Sequence, residues 1–323
     1  MARSDTENVA DLVERAGRRE VGAVARLISL VERDSPQLRE VAATLAVQTM
    51  RQRPAHVVGL TGSPGVGKST STSALVAAIR STGRTVGVLA VDPSSPFTGG
   101  ALLGDRIRMQ EHSDDDGVFI RSLASRGQLG GLSAEVPQAL RVLEAAGFDV
   151  ILVETVGVGQ AELDIASLAD TTLVILAPGM GDGIQAVKAG ILEIADVYAV
   201  NKADRDGADR VARDLRQMQR LTVATGEWPV PIVKTSAASR QGIDELLAAI
   251  DRHFTWLNTS GELATRRRHR AASEIEAIAL GEVRARFAGA TGPSALQAAA
   301  DRVVAGGTDP FTAAEQVLGS LTL

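Results

Sequence analysis

The chain has 323 residues, 45% apolar and 23% charged, with a formal net charge of −5, four histidines and no cysteine. That length and apolar share can bury a sizeable core in one large domain with smaller appendages. The acidic balance argues against a protein that works by neutralising nucleic-acid backbones, and the residue counts exclude disulfides and thiolate metal sites and give no zinc spacing, so any metal should be a hard cation held by oxygen.

In chain order, the opening residues lack the basic-then-apolar layout of a signal peptide. No apolar run reaches the roughly 20 residues that span a bilayer, so a cytoplasmic protein without a membrane partner is expected. Residues 1–54 read as a helical extension. Val9, Leu12, Val13 and Ala16, then Val21, Val24, Ala25, Leu27 and Ile28, recur at three- and four-residue steps. Asp34-Ser35-Pro36 breaks the pattern, and Leu38, Val41 and Leu45 resume it.

From 55 to 255, apolar strand candidates alternate with helical stretches. The strands are Val57–Thr61, Thr85–Val91, Val118–Ser122, Val150–Glu154, Thr171–Ala177, Val197–Asn201 and Pro231–Thr235. Most are continuously apolar, as in a sheet buried on both faces, which predicts a doubly wound, mostly parallel α/β domain. Crossover helices are expected around 71–80, 136–146, 184–194, 208–221 and 243–254. Residues 256–323 read as a helical arm, with Ile275, Ile278, Ala279, Val283 and Phe287 as an apolar stripe. The basic run Arg266–Arg270 at its start reads as a solvated helix face.

The first strand runs into G-S-P-G-V-G-K-S, a full match to the phosphate-loop pattern in its confirming strand-to-helix context. Gly62, Ser63, Pro64, Gly65, Val66 and Gly67 form the loop, whose glycines let backbone N–H groups turn inward around a nucleotide's phosphates, aided by the positive end of the following helix, which opens with Lys68, Ser69 and Thr70. Lys68 would reach the β- and γ-phosphates, and the Ser69 hydroxyl would ligate Mg2+. Asp92 and Glu154 end strands, and a parallel sheet presents strand ends along the edge that carries the phosphate loop. Each is a direct or water-mediated magnesium ligand by this reading. Asp105, in L-G-D-R-I-R-M, is either a metal-shell acid, a group that orients water, or a plain surface aspartate.

The sixth strand ends in N-K-A-D. The Asp204 carboxylate can accept from both N1–H and the 2-amino group of guanine, while Asn201 supports the base edge and the Lys202 stem lies along the ring. Adenine offers neither donor, so the acid would stay desolvated and unpaired, and GTP/GDP are favoured over the adenine nucleotides. A backbone N–H near Ser236 or Ala237 could reach the guanine oxygen.

Taken in order, G-S-P-G-V-G-K-S, V-D-P-S-S-P, L-G-D-R-I-R-M, V-E-T-V-G-V-G-Q, A-P-G-M-G-D-G-I-Q-A-V-K and N-K-A-D resemble the MeaB/ArgK (MMAA-type) P-loop GTPases associated with methylmalonyl-CoA mutase. The resemblance spans nearly the whole chain. It implies a homodimeric GTPase chaperone of an adenosylcobalamin-dependent acyl-CoA mutase, gating cofactor loading and protecting the mutase, with the C-terminal arm as the dimerisation element. It also implies that Asp182, Gln185 and Lys188 form a switch that responds to the mutase. Aligning E-T-V-G on the D-x-x-G element of GTPases puts the Gly157 N–H near the γ-phosphate and Val158 where a water-orienting glutamine is common. Valine cannot hydrogen-bond water, so slow intrinsic hydrolysis is expected until a partner rearranges Asp105 or Lys188. The rival readings are a metal-delivery GTPase of the hydrogenase or urease maturation type and a P-loop kinase linked to amino-acid transport.

Overall fold

The computed structural model describes residues 8–32, 35–92, 110–112, 114–124, 135–155, 161–179, 192–221 and 228–319. Three helices come first: α1 (Val9–Gly17), α2 (Val21–Glu32) and α3 (Leu38–Thr49). Asn8 caps α1, its side-chain oxygen accepting from the backbone N–H of Ala10 at 2.9 Å, which satisfies a donor that the helix start leaves orphaned. Most of the apolar stripe seen in the sequence is buried, with Leu12, Leu27, Ile28 and Leu45 fully enclosed, but Val21, at the first position of α2, is 55% exposed.

Among the described residues, β1 (His56–Thr61), β2 (Val86–Asp92), β3 (Val118–Ala124), β4 (Val150–Glu154), β5 (Thr171–Leu176), β6 (Val197–Val200) and β7 (Ile232–Lys234) form one parallel sheet in the order β3-β2-β4-β1-β5-β6-β7. The strands fall within two residues of their expected ends. Successive side chains on a strand enter opposite faces. Thus Val57 and Val153 join a core with α1 to α3, α5 (Glu135–Ala145) and α6 (Ala161–Leu168). Val58 and Leu152 join the opposite core, with α4 (Lys68–Ser81) and α8 (Ile243–Ser260). α7 (Ala208–Leu221) covers β6 through Ala212 and Leu215. The N-terminal helices therefore share a core with the sheet, and Arg121 of β3 reinforces the joint by donating to Glu32 at 2.5 Å. The expected helix around 184–194 falls mostly outside the described residues.

At the amino end of the sheet, opposite the phosphate loop, the start of α9 (Glu262–Val304) is held by buried ions. Arg266 makes two 2.8 Å bonds to Asp196, and Arg267 bonds Asp170 at 3.0 and 2.7 Å. Asp170 is 1% exposed, and its carboxylate also accepts from the Val57 N–H. The expectation of a solvated basic run is therefore wrong for these two arginines. A charged run has no apolar period to mark an inward face, and the buried aspartates lie 97 and 70 residues away in sequence. Beside the ion pairs, the Thr171 hydroxyl bridges His56 Nε2 and His253 Nδ1 at 2.8 Å each.

Residues 1–267 form one compact unit and 268–323 a second. Within the second, α10 (Pro310–Gly319) contributes Ala313 and Val317 to a small core with Ala299, Phe287 and Val303. Of the apolar stripe on α9, Phe287 packs into that core while Ile275, Ile278 and Val283 remain 56–68% exposed.

Candidate functional site

Along the carboxyl edge of the sheet, β1 turns through residues 62–67 into α4. Gly62 has φ +139°, and a Cβ there would lie 2.2 Å from the Ile175 carbonyl oxygen. Gly67 has φ +95° at the N-terminus of α4, and a Cβ would meet the Asn201 side chain at 2.5 Å. Both positions need glycine for backbone conformation and for space. Lys68 lies back along the loop, its ammonium donating to the Gly62 and Ser63 carbonyls at 2.8 and 3.3 Å. Pro64, Gly65 and Thr70 are exposed, whereas Val66 is buried.

Glu154 closes β4 in register with Leu60 and Ala90, and is 2% exposed. Ser69 Oγ donates to its Oε1 and Thr72 Oγ1 to its Oε2, both at 2.7 Å. A carboxylate only accepts, so each hydroxyl proton points at Glu154. The Ser69 lone pairs then face away from Glu154. Asp92 closes β2, two residues beyond the pair Ala90–Glu154, and its backbone alone is described. Asp105, Gly157 and Lys188 lie outside the described residues, as do Val158, Asp182 and Gln185.

The N-K-A-D element reaches back to the phosphate loop. Asn201 donates to the Val66 carbonyl at 2.8 Å and accepts from the Ala237 N–H at 3.0 Å and the Thr235 hydroxyl at 3.3 Å. Lys202 donates to the Gly65 carbonyl at 2.6 Å. The exposed Asp204 carboxylate accepts from Ser236 Oγ at 2.7 Å, which together with its own backbone N–H holds its pKa below the usual carboxylate range. One asparagine thus ties three loops, from β1, β6 and β7, into a single rim.

Two sets of contacts lie outside the sequence motifs. Thr72 follows Lys68 by one helical turn and Ser69 by three residues, a spacing that puts it near their face of α4. A short turn, Gln110–His112, docks on the same helix: Ser73 Oγ donates to Glu111 and lies 3.1 Å from His112 Nε2, while Arg240 donates to Glu111 at 3.4 Å. The phase of α4 flags the first; the second depends on distant chain.

A phosphate loop at the carboxyl edge of a doubly wound parallel sheet, with an N-K-A-D rim bound to it, defines a nucleotide-binding protein of the P-loop GTPase class. The chain belongs to the family described as methylmalonyl Co-A mutase-associated GTPase MeaB, whose model matches residues 24–292. A Pyrococcus abyssi protein is 44% identical over 316 residues, covering 96% of each chain. The GTPase ArgK of Escherichia coli is 37% identical, with 79% of this chain and 78% of that protein covered. A solved structure, a LAO/AO transport system kinase, superposes over the whole of both chains with a TM-score of 0.74 at 26% identity.

Proposed function

We propose that this protein binds and hydrolyses GTP with Mg2+, slowly by itself, and acts as a chaperone of an adenosylcobalamin-dependent acyl-CoA mutase in the cytoplasm. The single observation that carries the nucleotide reading is the rim: the Asp204 carboxylate, oriented by Ser236, stands on a loop that Asn201 fastens to the phosphate loop. A base and a triphosphate held by one connected frame are positioned together. The mutase link rests on the family's description and on a mouse relative, the mitochondrial methylmalonic aciduria type A homolog, 36% identical over 259 residues.

The residues present fit magnesium. Ser69 and Glu154 supply oxygen alone, and among the described residues no group of three or more His, Cys, Asp or Glu gathers as a transition-metal site would. Bound between Ser69, the Glu154 and Asp92 shell and the phosphates, the ion would neutralise charge on the transferring group. Lys68 would swing from the Gly62 carbonyl to the phosphates, loop N–H groups would bind the non-bridging oxygens, and Gly157 would sense the γ-phosphate. Water activation falls to Asp105 or Lys188 once a partner arranges them. The arm makes the homodimer in this reading, through the exposed Ile275, Ile278 and Val283.

Phosphate release measured with and without an acyl-CoA mutase tests the proposal. Expected is turnover well below one per second for the protein alone, rising at least tenfold with the mutase, against typical enzyme values of about 10 per second. Full-speed hydrolysis without the mutase and no change on adding it would overturn it. The solved relative described as a kinase motivates a rival outcome, in which labelled γ-phosphate appears on an acceptor instead of as free phosphate.

A further inference from the structure

The run K-S-T-S-T-S that opens α4 is an odd choice for a helix. Serine and threonine are weak helix formers because their hydroxyls compete for backbone groups. Position 72 is 0% exposed, so valine or isoleucine would fill the space without a polar atom to satisfy. Threonine there has two acceptors within reach, the Lys68 carbonyl at 3.1 Å and Glu154 Oε2 at 2.7 Å. It has one proton. The carboxylate is both nearer and the stronger acceptor, so the proton belongs to Glu154. An ordinary buried threonine in a helix needs only the carbonyl one turn back; this one reaches across to the end of β4.

We infer that Thr72 is a positioning residue for Glu154: its hydroxyl fixes one carboxylate oxygen so that the other stays aligned with Ser69 for the divalent cation. This rests on the magnesium-dependent GTPase reading above and deepens it by a residue outside the phosphate-loop motif. The arrangement has a reason in the geometry. Ser69 Oγ gives its proton to Oε1 and so presents its oxygen as an acceptor, an orientation that depends on where the carboxylate plane is held. Ser69 and Thr72 grip the two oxygens of the same group, so the plane is set by two points on one rigid helix. Losing Thr72 removes one of these two anchors from a carboxylate whose terminal torsion is soft. Partners of this outer kind commonly alter metal affinity by about 10–100-fold when removed.

The test uses the full-length protein with a fluorescent GDP analogue, titrating Mg2+ into wild type, Thr72→Val, Thr72→Ser and Glu154→Gln. Thr72→Val should raise the Mg2+ midpoint about tenfold while leaving nucleotide affinity in EDTA within about twofold. Thr72→Ser, which keeps the hydroxyl and loses the methyl, should restore the wild-type midpoint. A serine variant shifted as far as the valine variant would mean that packing is responsible, and would overturn the inference. So would a valine variant that titrates as wild type while Glu154→Gln shifts, an outcome that leaves the GTPase reading standing. Nucleotide binding indifferent to Mg2+ in wild type and Glu154→Gln alike would remove the metal site itself and the inference with it.

Discussion

At the residue scale, the proposed base selectivity rests on Asp204. Its carboxylate has acceptors only, and Ser236 already supplies one donor to Oδ1, which fixes the plane that faces solvent. Guanine presents two donors to such a group; xanthine presents an oxygen in place of the amino group. Asp204→Asn converts one acceptor into a donor, so GTP affinity should fall on the order of 100-fold or more and xanthosine triphosphate should bind better than GTP. Competition between the two nucleotides, read by fluorescence displacement, checks this. Unchanged GTP affinity in the variant would remove the argument from N-K-A-D.

At the scale of elements, the amino edge of the sheet is a buried polar layer joining β1, β5, α8 and the start of α9. His56 is stacked on Phe254 at 4.0 Å, and His253 clusters with Trp228 and Trp256, which also pack on each other. Burial lowers both imidazoles to about 4; for His56, Asp170 and Asp251 oppose the shift while His253 and Arg84 add to it, and for His253, Asp196 and Asp170 oppose it while Arg266 adds to it. A histidine whose folded pKa is depressed stays neutral in the native state while the unfolded chain takes up its proton near 6.5. Stability from this layer is therefore complete above about pH 6.5 and drains as pH falls toward 4, by roughly 3 kcal/mol for one such histidine. Urea midpoints at pH 7, 6, 5 and 4 should decline in that window, and a flat profile would contradict neutral, buried imidazoles. The ion pairs alongside act in the same place: removing Arg267 would leave the Asp170 charge enclosed, a change that typically costs about 3–5 kcal/mol.

At the scale of the whole molecule, the exposed apolar residues of the arm belong with the proposed homodimer. Ile278→Asp, a charge placed on that surface at 56% exposure, should leave the unit of residues 1–267 folded and shift the mass measured by light scattering from dimer to monomer. A monomeric wild type, or a dimer unmoved by the charge, would point to a different interface. Much of the architecture was legible in the chain because its signals are local. Val58, Leu152 and Leu173 lie in unbroken apolar runs, and a strand buried on both faces has no other way to be written. The phosphate loop and N-K-A-D were legible for a related reason: each is a contiguous stretch of a few residues with a recognisable pattern. Less legible was whatever two distant segments decide together. Thr72 meets Glu154 across 82 positions, Asn201 meets Val66 across 135, and Arg267 meets Asp170 across 97. Those pairings follow from the phase of α4, the register of β4 beside β1, and the point where α9 crosses the sheet edge. The sequence by itself determined the parallel sheet, the phosphate loop and the N-K-A-D element. Only the tertiary structure decided which hydroxyl holds Glu154 and that two arginines of a basic run are anchored in the core, because hydrogen bonds and ion pairs have short range and the chain gives no local trace of partners brought together by folding.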